Sequence, residues 1–494
     1  MLGYSGTGYR GLQINDQEKT IERDVMRAFI AAGAISKANA DDPKKVSLVR
    51  CARTDKGVHA AGNMLSLKLI VEDENIVEKI NSHLPPQIRV WGIQRTNKGF
   101  SCYQSCDSRW YEYLLPSYTL LPPHPDSYLG KKIAEFATEK DMVEEIEKKN
   151  ADVKGFWEEV DRTMIKPILE KLDPETRATV MERTRSSIEV GLPEGAVEGE
   201  AEERARRARS RSPAAAQKEA QTGPAADVAM EAGEAKEQQP TTPEAAGDRP
   251  ATEAANGEAT EEGTFAHREL GPADFALRDI KLAYVAAKRS YRISTSRLER
   301  LQDALNRYLG TNNFHNYTVQ KSFKDPSSKR LMKSFVVNPE PIIIGDTEWL
   351  SLKVHGQSFM MHQIRKMVGL ATLVTRCASD PAVIAETYGS ARIAIPKAPA
   401  LGLLLERPVF DNYNKKASAG ADKETLEFSK YDDQIEPFKR EHIYTRIFEH
   451  EERENTYVFL SIAHIYLNPP NPPTLGPFLF FPLSRRSQFL FLGP

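Results

Sequence analysis

From Glu194 to Gly263 the chain contains no Ile, Leu, Phe, Trp or Tyr and is dominated by Ala, Glu, Gln, Pro, Gly and Thr. Such a segment cannot bury enough apolar area to offset the entropy of ordering its backbone, so it is expected to be disordered and to divide the chain. Near its start, "RARRARSRSP" (Arg204 to Pro213) gathers positive charge as a nuclear-import signal or an electrostatic RNA contact would, or as a solvated charge run does.

On either side the composition is that of a folded protein. Of 494 residues, 40% are hydrophobic, enough for a sizeable core. The formal charge of −2, from 67 Lys+Arg against 69 Asp+Glu, argues neither for nor against nucleic acid, so distribution matters more than the sum. Cys51, Cys102, Cys106 and Cys377 are too few and too scattered for a disulfide-stapled fold, which points to a reducing compartment. No basic-then-apolar leader opens the sequence and no run of about 20 apolar residues occurs, so neither secretion nor a membrane span is expected.

Periodicity supplies the elements. Ile21, Val25, Met26, Phe29 and Ile30 share a helical face, whereas "MLSLKLIV" (Met64 to Val71) alternates as a half-buried strand does. A second helix carries Ile76, Val77, Ile80 and Leu84 and is closed by Pro85 and Pro86; "IRVWGIQ" and "RWYEYLLP" then read as strands. A charged helical stretch runs from about Thr138 to Arg185. Beyond the insert the grammar repeats: a helix around Leu298 to Leu309, strands at "KSFVV", "PIIIG" and "EWLSLKVHG", and a long helix from Phe359 to about Arg376. The expectation is an α+β protein of two related subdomains, with mixed or antiparallel sheets flanked by helices and an active-site cleft between them. Its parts are a subdomain at 1–120, a charged helical connection at 121–193, the acidic insert at 194–263, a second subdomain at 264–412, a helical extension at 413–455 and an apolar Pro-rich tail at 456–494.

Several apparent motifs carry little. "GTGYRG" matches G-x-G-x-x-G at Gly6, Gly8 and Gly11, but almost no chain precedes it and no helix opens directly after it, so nucleotide binding is not expected. Cys102 and Cys106 are spaced like half of a zinc site without a second pair nearby. His59 and His362 are read as structural or RNA-contacting histidines in the absence of a second ligand pair.

What remains is "RCARTDKGVHAAG", Arg50 to Gly62, in which one acid, Asp55, stands between Arg53 and Lys56. "RTDKGVHAAG" resembles the catalytic loop of the TruA family of tRNA pseudouridine synthases. Further matches follow in the family's order: "GYSGTGYRGLQ", "INSHLPPQIRV", "SRWYEYLL", "GTNNFHNYT", "FMMHQIRKMVG" and "APALGLLLE". The wording of "RCARTDKGV", "INSHLPP" and "HQIRKMVG", the acidic insert and "IYTRIFEHEE" are most similar to the eukaryotic, multi-site pseudouridine synthase 1 branch.

That resemblance implies an isomerase that converts uridine to pseudouridine in tRNA, with messenger and small nuclear RNA as further candidate substrates. It implies no metal, no nucleotide and no redox cofactor. Asp55 is then the indispensable carboxylate, a group able to assist glycosidic cleavage without donating a new atom. Arg365 matches the family's arginine that pairs with the aspartate and holds it ionised. Tyr111 occupies the first tyrosine of the family's R-x-Y-x-Y strand, its ring against the uracil and its hydroxyl placed for proton transfer, with Trp110 facing away. Arg53 matches the arginine that fills the position vacated by the flipped base, and Leu403 after Gly402 matches an apolar pocket wall. Charge and position add Lys56, Lys68, Arg109, Lys321, Lys324, Lys329, Arg330 and Lys333 as phosphate contacts, several of them on a loop, "KSFKDPSSKRLMK". A catalytically silent RNA-binding protein of the same fold, a tRNA chaperone or coactivator scaffold, is the alternative reading. A nuclear protein, with cytoplasm or mitochondrion as further sites, and a monomer are expected.

Two departures from the family stand out. The leading part of its first strand is nearly absent before "LGYSG", as in a truncated sequence. The tail "PPNPPTLGPFLFFPLSRRSQFLFLGP" has no counterpart, is interrupted by Pro472, Pro473, Pro477 and Pro482, and reads as an aberrant, aggregation-prone terminus.

Overall fold

A computed structural model describes residues 1–15, 18–39, 42–189, 271–419 and 424–457. The insert at 194–263 with its basic run Arg204 to Pro213, and the tail beyond Tyr457, lie outside the described residues.

In the first block, β1 (Leu2–Tyr4) leads to α1 (Ile21–Ala31), which buries Ile21, Val25, Met26 and Phe29 as its spacing requires. The short strands β2 (Val49–Arg50), β3 (His59–Asn63) and β4 (Leu65–Ser66) follow. The alternating run from Met64 to Val71 forms a ladder only over β4, against β2. Beyond it the backbone bonds singly to loops, Lys68 N–H to Val46 O at 2.9 Å and Ile70 N–H to Ala34 O at 2.8 Å, instead of continuing a ladder. Then come α2 (Ile76–Ser82), β5 (Ile88–Val90) and the long β6 (Ser108–Pro116).

The charged connection starts earlier than its composition suggests and is broken into α3 (Tyr128–Glu139), α4 (Val143–Lys149), α5 (Phe156–Val160), α6 (Lys166–Glu170) and α7 (Pro174–Glu189). Across the insert, α8 (Pro272–Ser290) packs on α7 through a small core of Ile165, Val180, Ala276 and Ile280. Arg183 Nη1 meets Asp274 Oδ1 at 3.1 Å, so the chain on either side of the insert is held together.

The second block runs α9 (Thr295–Asn306), β7 (Gly310–Asn313), β8 (Lys329–Val337), β9 (Ile342–Ile344), β10 (Thr347–Gly356), α10 (Gln363–Arg376), α11 (Val383–Glu386) and β11 (Leu403–Val409). The helices α12 (Asp411–Ser418), α13 (Asp432–Phe438) and α14 (Thr445–Glu454) complete the extension. The last five of the thirteen residues of the "KSFKDPSSKRLMK" segment expected as a loop belong to strand β8. The rest is a tight turn, in which the Asp325 carboxylate accepts from Ser327 N–H at 2.8 Å and from Lys321 Nζ at 2.8 Å.

The sheet arrangement is the main addition to the sequence reading. The two blocks do not close separate sheets but share one, in the order β5-β1-β3-β11-β6-β10-β8-β7 with β9 on β10. Strand β11, from the second block, lies between two strands of the first: it is parallel to β3 (Leu404 opposite His59) and antiparallel to β6 (Leu403 opposite Tyr113). Strand β10 pairs the other edge of β6, with Val354 opposite Tyr111. A strand inserted in this way satisfies backbone groups of both blocks at once and welds them.

Candidate active site

The loop Ala52–Val58 joins β2 to β3 and carries Asp55 at its exposed tip, with Arg53 and Lys56 also exposed. Its backbone is held at four carbonyls. Cys51 O accepts from Arg109 Nη2 at 2.9 Å, Ala52 O from Asn63 Nδ2 at 3.0 Å, Thr54 O from Leu12 N–H at 3.1 Å and Asp55 O from Val58 N–H at 3.1 Å. The Thr54 hydroxyl shares a hydrogen bond of 2.8 Å with the Tyr4 hydroxyl, both buried. The base of the loop is thus fixed while its tip is open to solvent.

Gly6 and Gly11 of "GTGYRG" serve this loop. A Cβ at Gly6 would meet Val58 O at 2.3 Å, and one at Gly11, where φ is +109°, would meet Thr54 O at 2.8 Å. Close approach of backbone to backbone accounts for them without a bound phosphate. His59, which follows the loop, is fully buried, and its Nδ1 accepts from Gly6 N–H at 3.2 Å. Burial lowers its pKa to about 4, so it is a neutral brace between two turns.

Tyr111 sits mid-sheet on β6, opposite Val354 of β10 and Leu405 of β11, within electrostatic reach of Asp55. Its ring is buried and meets Phe359 edge-on, with centroids 5.1 Å apart and planes at 77°. Burial raises its hydroxyl to about 12, opposed by Arg109 and reinforced by Cys51, Cys106 and Asp55. Trp110, on the opposite face as alternation requires, stacks on His355 at 4.3 Å.

Arg365 lies in the first turn of α10 and is clasped by the loop before β11: its Nε donates to Ala398 O at 2.6 Å, and Ala398 N–H donates to Arg365 O at 2.9 Å. Burial lowers its pKa while Tyr113, Asp55 and Tyr457 act against that. Arg365 and Asp55 are therefore electrostatic neighbours. The closed ion pair expected of them does not form among the described residues: Arg365 Nε is bonded to Ala398 O and the Asp55 side chain is exposed. Helix α10 begins at Gln363 rather than Phe359, because His362 adopts φ +64°. His362 is a neighbour the sequence reading underrated: burial, Lys397 and Arg365 lower its pKa and Asp55 raises it.

The substrate-contact candidates divide. Lys68, Lys324, Lys329 and Lys333 are exposed, whereas Lys321 is tied to Asp325. Arg109 is a correction: at 9% exposure it is buried, and its guanidinium binds the carbonyls of Cys51 and Gln357 instead of facing solvent. Leu403 is half-buried at the start of β11, and Gly402 before it accepts from Leu114 N–H at 2.9 Å. Phe359, Asn63 and Tyr4 were not singled out from sequence; the i, i+2 rule along β6 and the strand position of Asn63 are the signals that point to such neighbours. Among the described residues no three His, Cys, Asp or Glu side chains gather as a metal would require, and no helix is long and apolar enough to cross a membrane.

Comparison with known proteins adds to this geometry. The family described as tRNA pseudouridine synthase matches residues 304–411. The chain is 41% identical over 468 residues to tRNA pseudouridine synthase 1 of Yarrowia lipolytica, covering 94% of this chain and 74% of that protein. It is 40% identical over 477 residues to tRNA pseudouridine synthase 1 of Schizosaccharomyces pombe, covering 94% and 83%. It is 34% identical over 417 residues to tRNA pseudouridine(27/28) synthase of Saccharomyces cerevisiae, covering 84% and 85%.

Proposed function

The chain belongs to the TruA family of tRNA pseudouridine synthases, and from that membership we propose that Asp55 is the carboxylate on which its reaction depends. The protein is an isomerase that converts uridine to pseudouridine in tRNA. The reaction breaks the N1–C1′ bond, turns the uracil and forms C5–C1′. The C5 proton leaves and N1 gains one, so atoms balance without any external reagent.

One observation supports the assignment above the others: Asp55 lies in the electrostatic reach of Tyr111 on β6 and of His362 and Arg365 at the start of α10, two segments distant from it in the chain. An ionised carboxylate there can assist departure of the base from C1′. Its exposure means that water is excluded only once the flipped nucleotide covers the tip, which strengthens the Arg365 interaction at that moment. The Tyr111 hydroxyl stays protonated at neutral pH, so Tyr111 offers a ring face and a donor rather than a base. Arg53 and Lys56 flank the carboxylate, where they can fill the vacated stack and hold a phosphate, and Leu403 with Gly402 would wall the uracil. Contacts of this kind follow phosphate and shape more than base identity, so folded messenger and small nuclear RNAs with an extrudable uridine are proposed as further substrates.

The test is release of tritium from tRNA labelled at uridine C5, which follows the bond that must break. Wild-type protein should release tritium in multiple turnover. Stoichiometric binding without release would leave only an RNA-binding function.

A further inference from the structure

Arg109 is a buried cation beside the Cys106 thiol, whose pKa is lowered to about 7 by its hydrogen bond with Cys51 and by Arg109. It shares one face of β6 with Tyr111 and Tyr113 by alternation, is 9% exposed, and has no carboxylate partner among the described residues. A charge taken out of water with carbonyls and a thiol but no carboxylate to receive it is costly, and an apolar side chain of similar size would pack there at less expense. What the guanidinium holds explains its presence. Nη2 donates to Cys51 O at 2.9 Å, at the root of the Asp55 loop, and Nη1 donates to Gln357 O at 3.2 Å, on the segment that runs from β10 to Phe359, His362 and Arg365.

Both peptides are fixed on their other side. Cys51 N–H donates to Met64 O at 2.9 Å, and Gln357 N–H donates to Leu331 O at 3.0 Å. The fork of Arg109 thus spans two independently anchored segments, one leading to Asp55 and one to Arg365. We infer that Arg109 is a positioning residue that sets the Asp55 loop in register with the segment bearing Phe359 and Arg365. This rests on the assignment of Asp55. Only a rigid, two-pronged donor does it: a lysine ammonium is a point charge on a flexible stem and cannot keep both bonds in one geometry. A shift of about 1 Å between reacting groups is enough to cost on the order of a hundredfold in rate.

The experiment compares Arg109→Lys and Arg109→Met with wild type and Asp55→Asn, reading kcat, KM, tRNA Kd at two salt concentrations, thermal midpoint, and hydrogen exchange of residues 52–58 and 357–362. For Arg109→Lys, kcat should fall by about tenfold or more while tRNA Kd stays within about twofold, and both peptides should exchange faster, with Arg109→Met worse. Unchanged kcat and exchange in a folded Arg109→Lys protein would overturn the inference. So would a weakened Kd with a salt slope lowered by about one, which would make Arg109 a phosphate contact. If Asp55→Asn kept its turnover, the assignment of Asp55 would fail instead. Asp55→Asn inactive beside fully active Arg109→Lys would sink only the positioning role.

Discussion

The Tyr444 hydroxyl donates to Glu112 Oε2 at 2.5 Å and so fastens the C-terminal extension to the strand that carries Tyr111, on its opposite face. The Ser351 hydroxyl also donates to Glu112, and Lys439 Nζ lies 2.8 Å from Glu406 Oε1 on neighbouring β11. Buried Glu112 and Lys439 and half-buried Glu406 thus gather on the face of the sheet opposite Tyr111. Removing the ammonium leaves uncompensated charge: Lys439→Met should lower stability by about 3–5 kcal/mol, read as urea unfolding free energy.

The same cluster gives a pH dependence of defined sign. Burial pushes the Glu406 carboxyl up to about 7, opposed by Lys439 and reinforced by Glu112. A carboxyl whose folded value lies above its unfolded value binds more protons when folded, so stability falls as pH rises from the ordinary 4.5 to about 7. His59, held neutral by burial, contributes a rise over pH 4 to 6.5, so the reading is a difference: the thermal midpoint of Glu406→Gln relative to wild type should increase as pH rises through this window. A difference between the two proteins that stays constant with pH through the same window would show that Glu406 is held ionised.

At Gly11 a side chain is doubly excluded, by φ +109° and by the Thr54 carbonyl. Gly11→Ala should displace the Asp55 loop and lose on the order of tenfold or more in turnover, with a stability loss of about 1–3 kcal/mol. Unchanged kcat with unchanged stability would mean that the loop tolerates the shift.

Deletion of 194–263 should leave fold and turnover intact, because the segment has almost no large apolar side chains and because α7 and α8 hold the chain together on either side of it. Thermal midpoint and tritium release from tRNA check this. We propose that "RARRARSRSP" directs the protein to the nucleus, and loss of nuclear accumulation with full activity in vitro is the result expected.

Arg365 tests how the carboxylate is supported. Arg365→Leu should be worse for turnover than Arg365→Lys, and both should affect kcat much more than tRNA Kd. A large fall in binding with a reduced salt slope would place Arg365 on the phosphate-binding surface.

Local periodicity made much of this legible. The apolar spacing of α1 and α2 and the alternation that separates Trp110 from Tyr111 could be read directly, since each depends on neighbours in sequence. The start of α10 could not, because it turns on His362 taking a left-handed backbone. Nor could the place of β11, whose parallel pairing of Leu404 with His59 joins residues far apart in the chain. Arg109 was misread as a surface cation although the rule that separates Trp110 from Tyr111 also puts Arg109 beside Tyr111. Charge alone does not tell a phosphate contact from a brace, and burial does.

The most direct measurement compares Asp55→Asn with wild type for tRNA affinity and for tritium release on the same tRNA. The substitution keeps size and most hydrogen-bonding capacity, and the loop is held at its carbonyls rather than through the Asp55 side chain. We expect affinity within a few-fold of wild type and release below detection, with Asp55→Glu nearly as poor because one methylene moves the carboxylate by about 1 Å. Retention of more than about a tenth of wild-type turnover by Asp55→Asn, a far smaller loss than removal of an essential reacting group produces, would contradict the account and leave Asp55 as a residue of the turn.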